Sequence, residues 1–215
     1  MGRAGRPGGC TTGVVYGLVT DLQTDVVTPL LRGRFGRPYR FVESCPSTQR
    51  LLGDDEPEGA TVAADEQTEG RGRLGRSWAA PPGRAILCSV LLRPDVPMPL
   101  WPELSLVAGD AVAAAIRAET GLPAVLSHPN DVFVAGRKVV GVLPEARGGR
   151  VVLGIGVNVN QSAEELPADT PKPPTSLRVE LGRELARAPL LAAILLELER
   201  HYDEWRRLHA LQRGR

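Results

Sequence analysis

The alternation of hydrophobic and polar positions predicts a chain in which strands and helices are mixed. Residues 85–92 form a continuous apolar run and residues 60–64 a shorter one, which is typical of strands buried on both faces. Residues 104–120 carry apolar side chains at helical spacing and are followed by Gly121, which predicts a helix with a glycine just after its end. Residues 190–208 show the same spacing and predict a long amphipathic helix near the C-terminus.

Shorter patterns predict the remaining elements. Ser47 is expected to cap a helix that begins directly after it. The other predictions are a short helix over 21–31, a strand over 40–43, a hairpin of strands 132–134 and 138–143 joined at 135–137, a strand over 151–159 broken by two glycines, and a proline-rich loop over 161–175. Together they predict one α/β (α+β) domain over residues 25–212, preceded by a glycine-rich, disordered lead over residues 1–24.

Composition places the chain among ordinary globular proteins and gives no reason to expect a membrane or nucleic-acid partner. Of 215 residues, 42% are hydrophobic and 24% charged, and the net charge is +1. No apolar run is long enough to span a bilayer, and no apolar segment follows the basic N-terminus as in a secretion signal. The three cysteines, Cys10, Cys45 and Cys88, lack metal-ligand spacing and an even disulfide count, which favours a reducing, cytoplasmic setting.

The strongest chemical signal is the sequence EGRGRLGRSW at residues 69–78, here called the Arg–Gly loop. Its glycines allow the backbone to approach a ligand closely, and its arginines match phosphate and carboxylate groups. Trp78 offers a flat face for a purine. A solvated arginine-rich surface or a nucleic-acid-binding patch would also explain such a run. Because the loop lies between two predicted buried strands, a site for a nucleotide ester or a mixed anhydride is favoured.

Three further motifs are weaker when each is taken alone. Asn130 and Asp131 precede a strand, where they could orient a ligand or hold Mg²⁺ through water, although Pro-Asn-Asp is also an ordinary turn. The glycines and the asparagine within residues 154–158 are consistent with the wall of a binding site. Residues 47–49 are either a plain helix cap or a polar contact for an amide or ureido group.

Taken in order, these motifs resemble the catalytic domain of biotin–protein ligases. That family has a Gln ahead of a Gly-Arg-Gly-Arg-x-Gly-Arg-x-Trp loop, matched here by Gln67 and residues 70–78. Its other motifs are a Ser-Thr-Asn helix start, a Lys-Trp-Pro-Asn-Asp segment, a Lys-x-x-Gly-Ile-Leu-x-Glu strand and a Gly-x-Gly-x-Asn strand, matched by residues 47–49, 127–131, 138–145 and 154–158. The resemblance covers roughly residues 25–210.

The resemblance implies a mixed β-sheet with packed helices, related to class II aminoacyl-tRNA synthetases. It implies that biotin and ATP, with Mg²⁺, form biotinyl-5′-AMP and pyrophosphate. A lysine of a biotin carboxyl-carrier domain of an acyl-CoA carboxylase then attacks the acyl carbon and releases AMP. No residue is assigned to a protein-bound metal, and the resemblance leaves open whether the chain is a monomer or a homodimer.

The resemblance also assigns roles to individual residues. Catalytic roles fall to Arg71, Arg73 and Arg76. The implied biotin-binding residues are Ser47, Thr48, Gln49, Gln67, Arg71, Gly72, Arg73 and Ser127. The implied nucleotide-binding residues are Gly70, Trp78, Asn130, Asp131, Lys138, Gly141, Gly154, Gly156, Val157 and Asn158.

Two departures from the family pattern affect these expectations. The family's Lys-Trp pair before Pro-Asn-Asp is Ser127-His128 here. Loss of a cation that acts on transition-state charge is expected to lower the rate by about 10²–10³. His128 is expected to point away from the site, because neighbours on a strand face opposite sides. The family's C-terminal β-barrel domain is expected to be absent, and the lead is too short for a DNA-binding module, which argues against a repressor role.

These departures leave two alternatives beside an active biotin ligase. One is a degenerate protein that binds biotin or biotinyl-adenylate with little turnover. The other is a ligase for a related carboxylate such as lipoate or an octanoyl group. The direction of the pocket side chains decides between carboxylates, and the sequence does not show it.

Overall fold

Seven strands form one continuous mixed sheet. The structure is a computed structural model and describes residues 21–168 and 170–212. The strands are β1 (Tyr39–Cys45), β2 (Thr61–Gln67), β3 (Ala85–Leu92), β4 (Val125–Ser127), β5 (Asp131–Val134), β6 (Arg137–Arg147) and β7 (Arg150–Asn158). Their order across the sheet is β1-β2-β3-β7-β6-β5-β4. Only β1 and β2 pair in parallel within this sheet, and the other neighbours are antiparallel.

Two long helices cover the sheet and form the core with it. The helices are α1 (Thr24–Val27), α2 (Leu104–Thr120), α3 (Leu177–Leu181) and α4 (Arg187–Gln212), with 3₁₀ turns at Thr28–Leu30, Thr48–Leu51, Arg73–Gly75 and Met98–Glu103. Helix α2 packs against α4 and against β4, β5 and β6. Their apolar faces are buried in one large cluster with the inner face of the sheet. None of the helices within the described residues is long and apolar enough to cross a membrane.

The longest apolar patterns predicted their elements correctly. Strand β3 and helix α2 have the predicted bounds, and α2 ends at Gly121 with φ of +74°. Residues 135–137 form the predicted turn, with Ala135 and Gly136 both in the left-handed region. The mixed sheet with packed helices confirms the predicted fold class.

Other boundaries differ from the sequence-based expectations. Strand β7 is not broken by its glycines, because Gly154 and Gly156 stay paired with β3 on one side and β6 on the other. Ser47 precedes a 3₁₀ turn and makes no capping hydrogen bond with its side chain, so the predicted helix cap is wrong. Helix α3 was not predicted, and β4 entered the prediction only as the strand on which Ser127 and His128 were expected to be neighbours.

The start of the domain lies earlier than expected. The predicted lead lies outside the described residues as far as residue 20. Residues 21–24 belong to the fold, because the Asp21 carboxylate accepts hydrogen bonds from the backbone and side chain of Arg187 at 2.5 and 2.8 Å. The arginine is the first residue of α4, so this contact joins the beginning of the described chain to its last helix.

Candidate active site

A single cavity brings most of the predicted site residues together. It lies over the first part of β6 and the second half of β7, between the Arg–Gly loop and the proline-rich loop. The predicted residues that line it are Ser47, Thr48, Gln49, Gln67, Arg71, Gly72, Arg73, Arg76, Trp78, Asn130, Lys138, Gly141, Gly154, Gly156 and Asn158. The sequence motifs therefore converge in space, although they are spread over more than a hundred positions.

Four predicted site residues do not line this cavity. Val157 is fully buried and points to the core, because it alternates with Gly156 along β7. Gly70 supports the loop by accepting a hydrogen bond from the Trp78 backbone at 2.9 Å. Asp131 contacts two lysines that line the cavity, and Ser127 lies at the end of β4. The direct ligand contacts expected for these four residues therefore stay predictions, since the structure holds them outside the cavity lining.

One end of the cavity is built from neutral polar groups. The backbone amide and the hydroxyl of Thr48 both donate to Gln67 Oε1, at 2.8 and 3.1 Å. The same hydroxyl lies 2.7 Å from the Ser89 hydroxyl. Cys88 lines this region, and burial raises the pKa of its thiol to about 12, so the thiol stays neutral. This arrangement suits an uncharged ligand group that offers both hydrogen-bond donors and acceptors.

Arg71 is held over the cavity by Glu145, which ends the matched motif of residues 138–145 but was assigned no role from the sequence. Its guanidinium pairs with the Glu145 carboxylate on β6 at 2.9 and 3.0 Å. Gln49 donates to the carbonyl of Leu143 at 3.0 Å and packs against Gly154, where a β-carbon would lie 3.0 Å from its amide carbon. Arg71 Nε is buried with no hydrogen-bond partner among the described residues. It is a donor that a ligand can satisfy.

Trp78 lies against two glycines that face each other on adjacent strands. Gly141 on β6 pairs with Gly156 on β7. A β-carbon at Gly141 would lie 2.6 Å from the indole, and one at Gly156 would lie 2.5 Å from it. Glycine at both positions is therefore required for the indole to approach the sheet. The indole Nε1 is buried and has no hydrogen-bond partner in the described part of the chain.

Near Trp78, a carboxylate is shared by two lysines. Lys138 Nζ lies 2.8 Å from Asp131 Oδ1, and Lys172 Nζ lies 2.7 Å from Asp131 Oδ2. Lys138 Nζ also lies 5.3 Å from the centre of the Trp78 ring. Burial alone would raise the pKa of the Asp131 carboxyl, but the hydrogen bonds from the two lysines outweigh burial and lower it. Asp131 is therefore an anion that fixes two cations at the cavity.

Asn130 and the arginines complete the charged end. Asn130 donates to the carbonyl of Val142 at 2.8 Å and accepts from Arg73 at 3.0 Å. Arg76 donates to the Arg73 carbonyl at 3.1 Å. Because Asn130 and Asp131 are committed to these partners, the structure does not support the idea that this pair holds Mg²⁺. Among residues 21–168 and 170–212, no group of three or more His, Cys, Asp or Glu side chains is placed to bind a metal ion.

Comparison with known proteins identifies the family. The model of the biotin/lipoate A/B protein ligase family matches residues 41–162. The chain belongs to this family. It is 38% identical over 179 residues to the bifunctional ligase/repressor BirA of Bacillus spizizenii, covering 79% of this chain and 55% of that protein. It is 42% identical over 158 residues to the biotin–[acetyl-CoA-carboxylase] ligase of Mycobacterium tuberculosis, covering 69% of this chain and 56% of that protein.

A solved structure shows the same fold. The biotin protein ligase from Aquifex aeolicus in complex with biotin and ATP has a TM-score of 0.72 and 33% sequence identity, covering 79% of this chain and 72% of that one. The chain spans about half the length of the curated relatives that it matches. Within that span it carries the Arg–Gly loop and the glycine-containing strands of the ligase family at one cavity.

The departure from the family pattern has a defined place in the structure. Ser127 ends β4 and pairs with Asp131 on β5. His128 follows the strand and lines a separate hollow with Trp101, Pro102 and Leu106. His128 does not line the site cavity and lies beyond the strand end rather than on the strand, and its hollow shares Arg73 and Leu143 with that cavity. Neither Ser127 nor His128 lines the cavity, so these two positions supply no basic side chain to it.

Gly156→Ala is expected to displace Trp78 and to weaken ATP binding about tenfold, because its methyl group would overlap the indole. A tenfold loss of affinity corresponds to a binding free energy that is less favourable by about 1.4 kcal/mol. Calorimetric titration with ATP measures the effect. Gly53→Ala is the matched control, because a β-carbon there meets nothing within 4 Å and should leave the affinity unchanged. Equal ATP affinity in the Gly156 variant and the native chain would contradict the packing role of this glycine.

Proposed function

We propose that the chain activates biotin with ATP to biotinyl-5′-AMP and transfers the biotinyl group to a lysine of a biotin carboxyl-carrier domain. The observation that carries this proposal is one cavity with a neutral hydrogen-bonding end at Thr48 and Gln67 and a cationic end at Lys138 and Trp78. A biotinyl-adenylate has the same arrangement of neutral and charged groups, with an uncharged ureido ring at one end and a phosphate and purine at the other. The similarity to named biotin ligases supports the same assignment.

In the first step, a carboxylate oxygen of biotin attacks the α-phosphorus of ATP and pyrophosphate leaves. Negative charge increases on the phosphoryl oxygens in the transition state, and fixed cations stabilise it there. Lys138 is held at this position by Asp131, and Arg73 by Asn130. These side chains need little reorganisation, because their partners already orient them.

In the second step, the amine of a carrier lysine attacks the acyl carbon and AMP leaves with the bonding electrons. The mixed anhydride must survive until the carrier docks, so water has to be excluded. The Arg–Gly loop covers the cavity and is closed on itself by hydrogen bonds from Trp78 to Gly70 and from Gly72 to Arg76 at 2.9 and 2.7 Å. Opening of this loop would admit the carrier lysine.

The described residues offer no cluster of carboxylates or imidazoles for a resident metal ion. We therefore place Mg²⁺ in the reaction as part of the substrate, Mg-ATP, with the nucleotide phosphates as its ligands. We propose action on the carrier domain of an acyl-CoA carboxylase, because the Mycobacterium tuberculosis relative is named a biotin–[acetyl-CoA-carboxylase] ligase. We propose a cytoplasmic setting from the cysteine content of the sequence alone. The proposal concerns the ligase reaction and does not include DNA binding.

The test is release of pyrophosphate by the purified chain with Mg-ATP and one carboxylic acid at a time: biotin, lipoate or octanoate. Release that requires biotin, followed by biotin transfer to a carrier domain, is the expected result. Release with lipoate or octanoate but not with biotin would assign the chain to the related carboxylate. Tight biotin binding without pyrophosphate release would favour a binding protein and overturn the proposed activity.

A further inference from the structure

We propose that Lys172, on the proline-rich loop, supplies the cation that the chain lacks at position 127 and contacts the reacting carboxyl and phosphoryl groups. This inference rests on the proposed function and deepens it. The loop lies more than forty positions after Ser127 in the sequence, so the replacement is visible only in the folded chain. Lys172 lines the same cavity as Lys138, Arg71 and Arg73.

The composition of the chain sets the two lysines apart. Of its 26 basic residues, 24 are arginines and two are lysines, Lys138 and Lys172. Both lysines bind the single carboxylate of Asp131. Elsewhere in the described fold the ion pairs use arginine, apart from two that use His201 and His209. Lysine is present where a compact ammonium group on a flexible side chain is useful, as at a site where the cation moves with the reacting group.

The backbone places Lys172 firmly beside Lys138. The Lys138 amide donates to the Pro173 carbonyl, and the Thr175 amide donates to the Lys138 carbonyl, both at 2.8 Å. Pro171 and Pro173 flank Lys172 and restrict the backbone on both sides. The Lys172 ammonium also lies 5.2 Å from the centre of the Phe133 ring. The backbone of the loop is therefore fixed next to β6, while the partly exposed Lys172 side chain can still change its rotamer.

The charge balance of this group favours an anionic ligand. One carboxylate and two ammonium groups leave one uncompensated positive charge at the cavity. Lys172 is partly exposed, with 39% of its side chain accessible, whereas the Asp131 side chain is 7% accessible. When an anion enters, Lys172 can turn toward it while Lys138 still neutralises Asp131. The cost of leaving the buried carboxylate unpaired is thereby avoided.

The geometry of β4 explains why a lysine at position 127 would serve the same site. Ser127 pairs directly with Asp131 across β4 and β5. Directly opposed residues of antiparallel strands point to the same face of the sheet. A lysine at position 127 and the present Lys172 therefore approach Asp131 from different segments and would address the same carboxylate.

Lys172→Met is the decisive variant, because it keeps most of the stem and removes only the charge. Biotin-dependent pyrophosphate release is expected to show a kcat about 10²-fold lower, by analogy with removal of one oxyanion donor. Adding Ser127→Lys to this variant is expected to recover most of the loss. Arg137→Met is the matched control, because Arg137 pairs with Glu180 and lies outside the cavity lining, and its kcat should change less than about twofold.

A second readout does not depend on turnover. Calorimetric titration with ATP is expected to show about tenfold weaker binding by Lys172→Met, because one charged contact with phosphate is lost. An inactive native chain would refute the proposed function, and the ATP affinities would still decide the role of Lys172. Unchanged kcat, or unchanged ATP affinity where the native chain is inactive, would overturn the inference. Failure of Ser127→Lys to restore any activity would overturn the claim that both positions serve one site.

Discussion

Lys138→Ala is expected to lower the kcat of biotin adenylation by about 10²–10³. Lys138 lies centrally in the cavity, 2.8 Å from Asp131 and 5.3 Å from the centre of the Trp78 ring, so it can reach the junction between the acyl and nucleotide ends. Its loss removes a cation that the proposed mechanism places against the developing phosphoryl charge. Pyrophosphate release in a single turnover, with saturating biotin and Mg-ATP, measures the chemical step directly.

The charge-conserving variant Lys138→Arg separates charge from shape. The larger planar guanidinium cannot occupy the space of the ammonium between Asp131 and the indole, so we expect only partial recovery of kcat. The melting temperature of both variants should stay close to that of the native chain, because Asp131 keeps its contact with Lys172. A kcat for Lys138→Ala within threefold of the native value would contradict the catalytic role of this lysine.

Arg187→Met is expected to lower the free energy of unfolding by about 3 kcal/mol. The guanidinium is buried, with 4% of the side chain accessible, and bonds Asp21, Asp65 and the Ala85 carbonyl at 2.8–3.0 Å. Its removal leaves the Asp65 carboxylate, which is 16% accessible, without this cation. For a chain of this size the change corresponds to a decrease in melting temperature of roughly 10 °C.

The matched control is Arg207→Met, which removes an arginine of the same helix from an exposed ion pair with Glu204. Its effect should stay below about 1 kcal/mol, because exposed pairs contribute little. Thermal unfolding followed by circular dichroism measures both variants. Equal melting temperatures for the two variants would contradict the assignment of the Arg187 network as the tie between α4, β2 and the first described residues.

The fold could be predicted where local patterns are strong. Strand β3 is apolar at every position but Ser89, and α2 carries helical spacing with a terminal glycine, so both could be recognised without knowledge of their distant contacts. Strand β4 has three residues, one of them exposed, and is defined only by its pairing with β5. The glycines of β7 suggested a break, but pairing on both edges keeps the strand continuous. Tertiary hydrogen bonds override local preference in both cases.

The candidate site could be predicted as far as its motifs extend. The Arg–Gly loop and the glycines of β6 and β7 could be recognised because clustered arginines and glycines within strands are unfavourable unless a ligand or a close contact requires them. The structure brings these residues to one cavity. Glu145 and Lys172 act through partners more than forty positions away, so spacing along the chain could not show their roles. The low lysine count was the one signal in the sequence that could have pointed to Lys172, because a chain that uses arginine almost throughout has lysine at two positions.

The most direct test of the central claim is to identify the product held by the protein. The native chain is incubated with biotin and Mg-ATP, separated from free ligands by gel filtration, and examined by native mass spectrometry. We expect a complex whose added mass equals biotinyl-5′-AMP, with pyrophosphate in the filtrate. A complex with biotin alone, or ADP and phosphate as products, would contradict the claim that this cavity joins the biotin carboxylate to AMP.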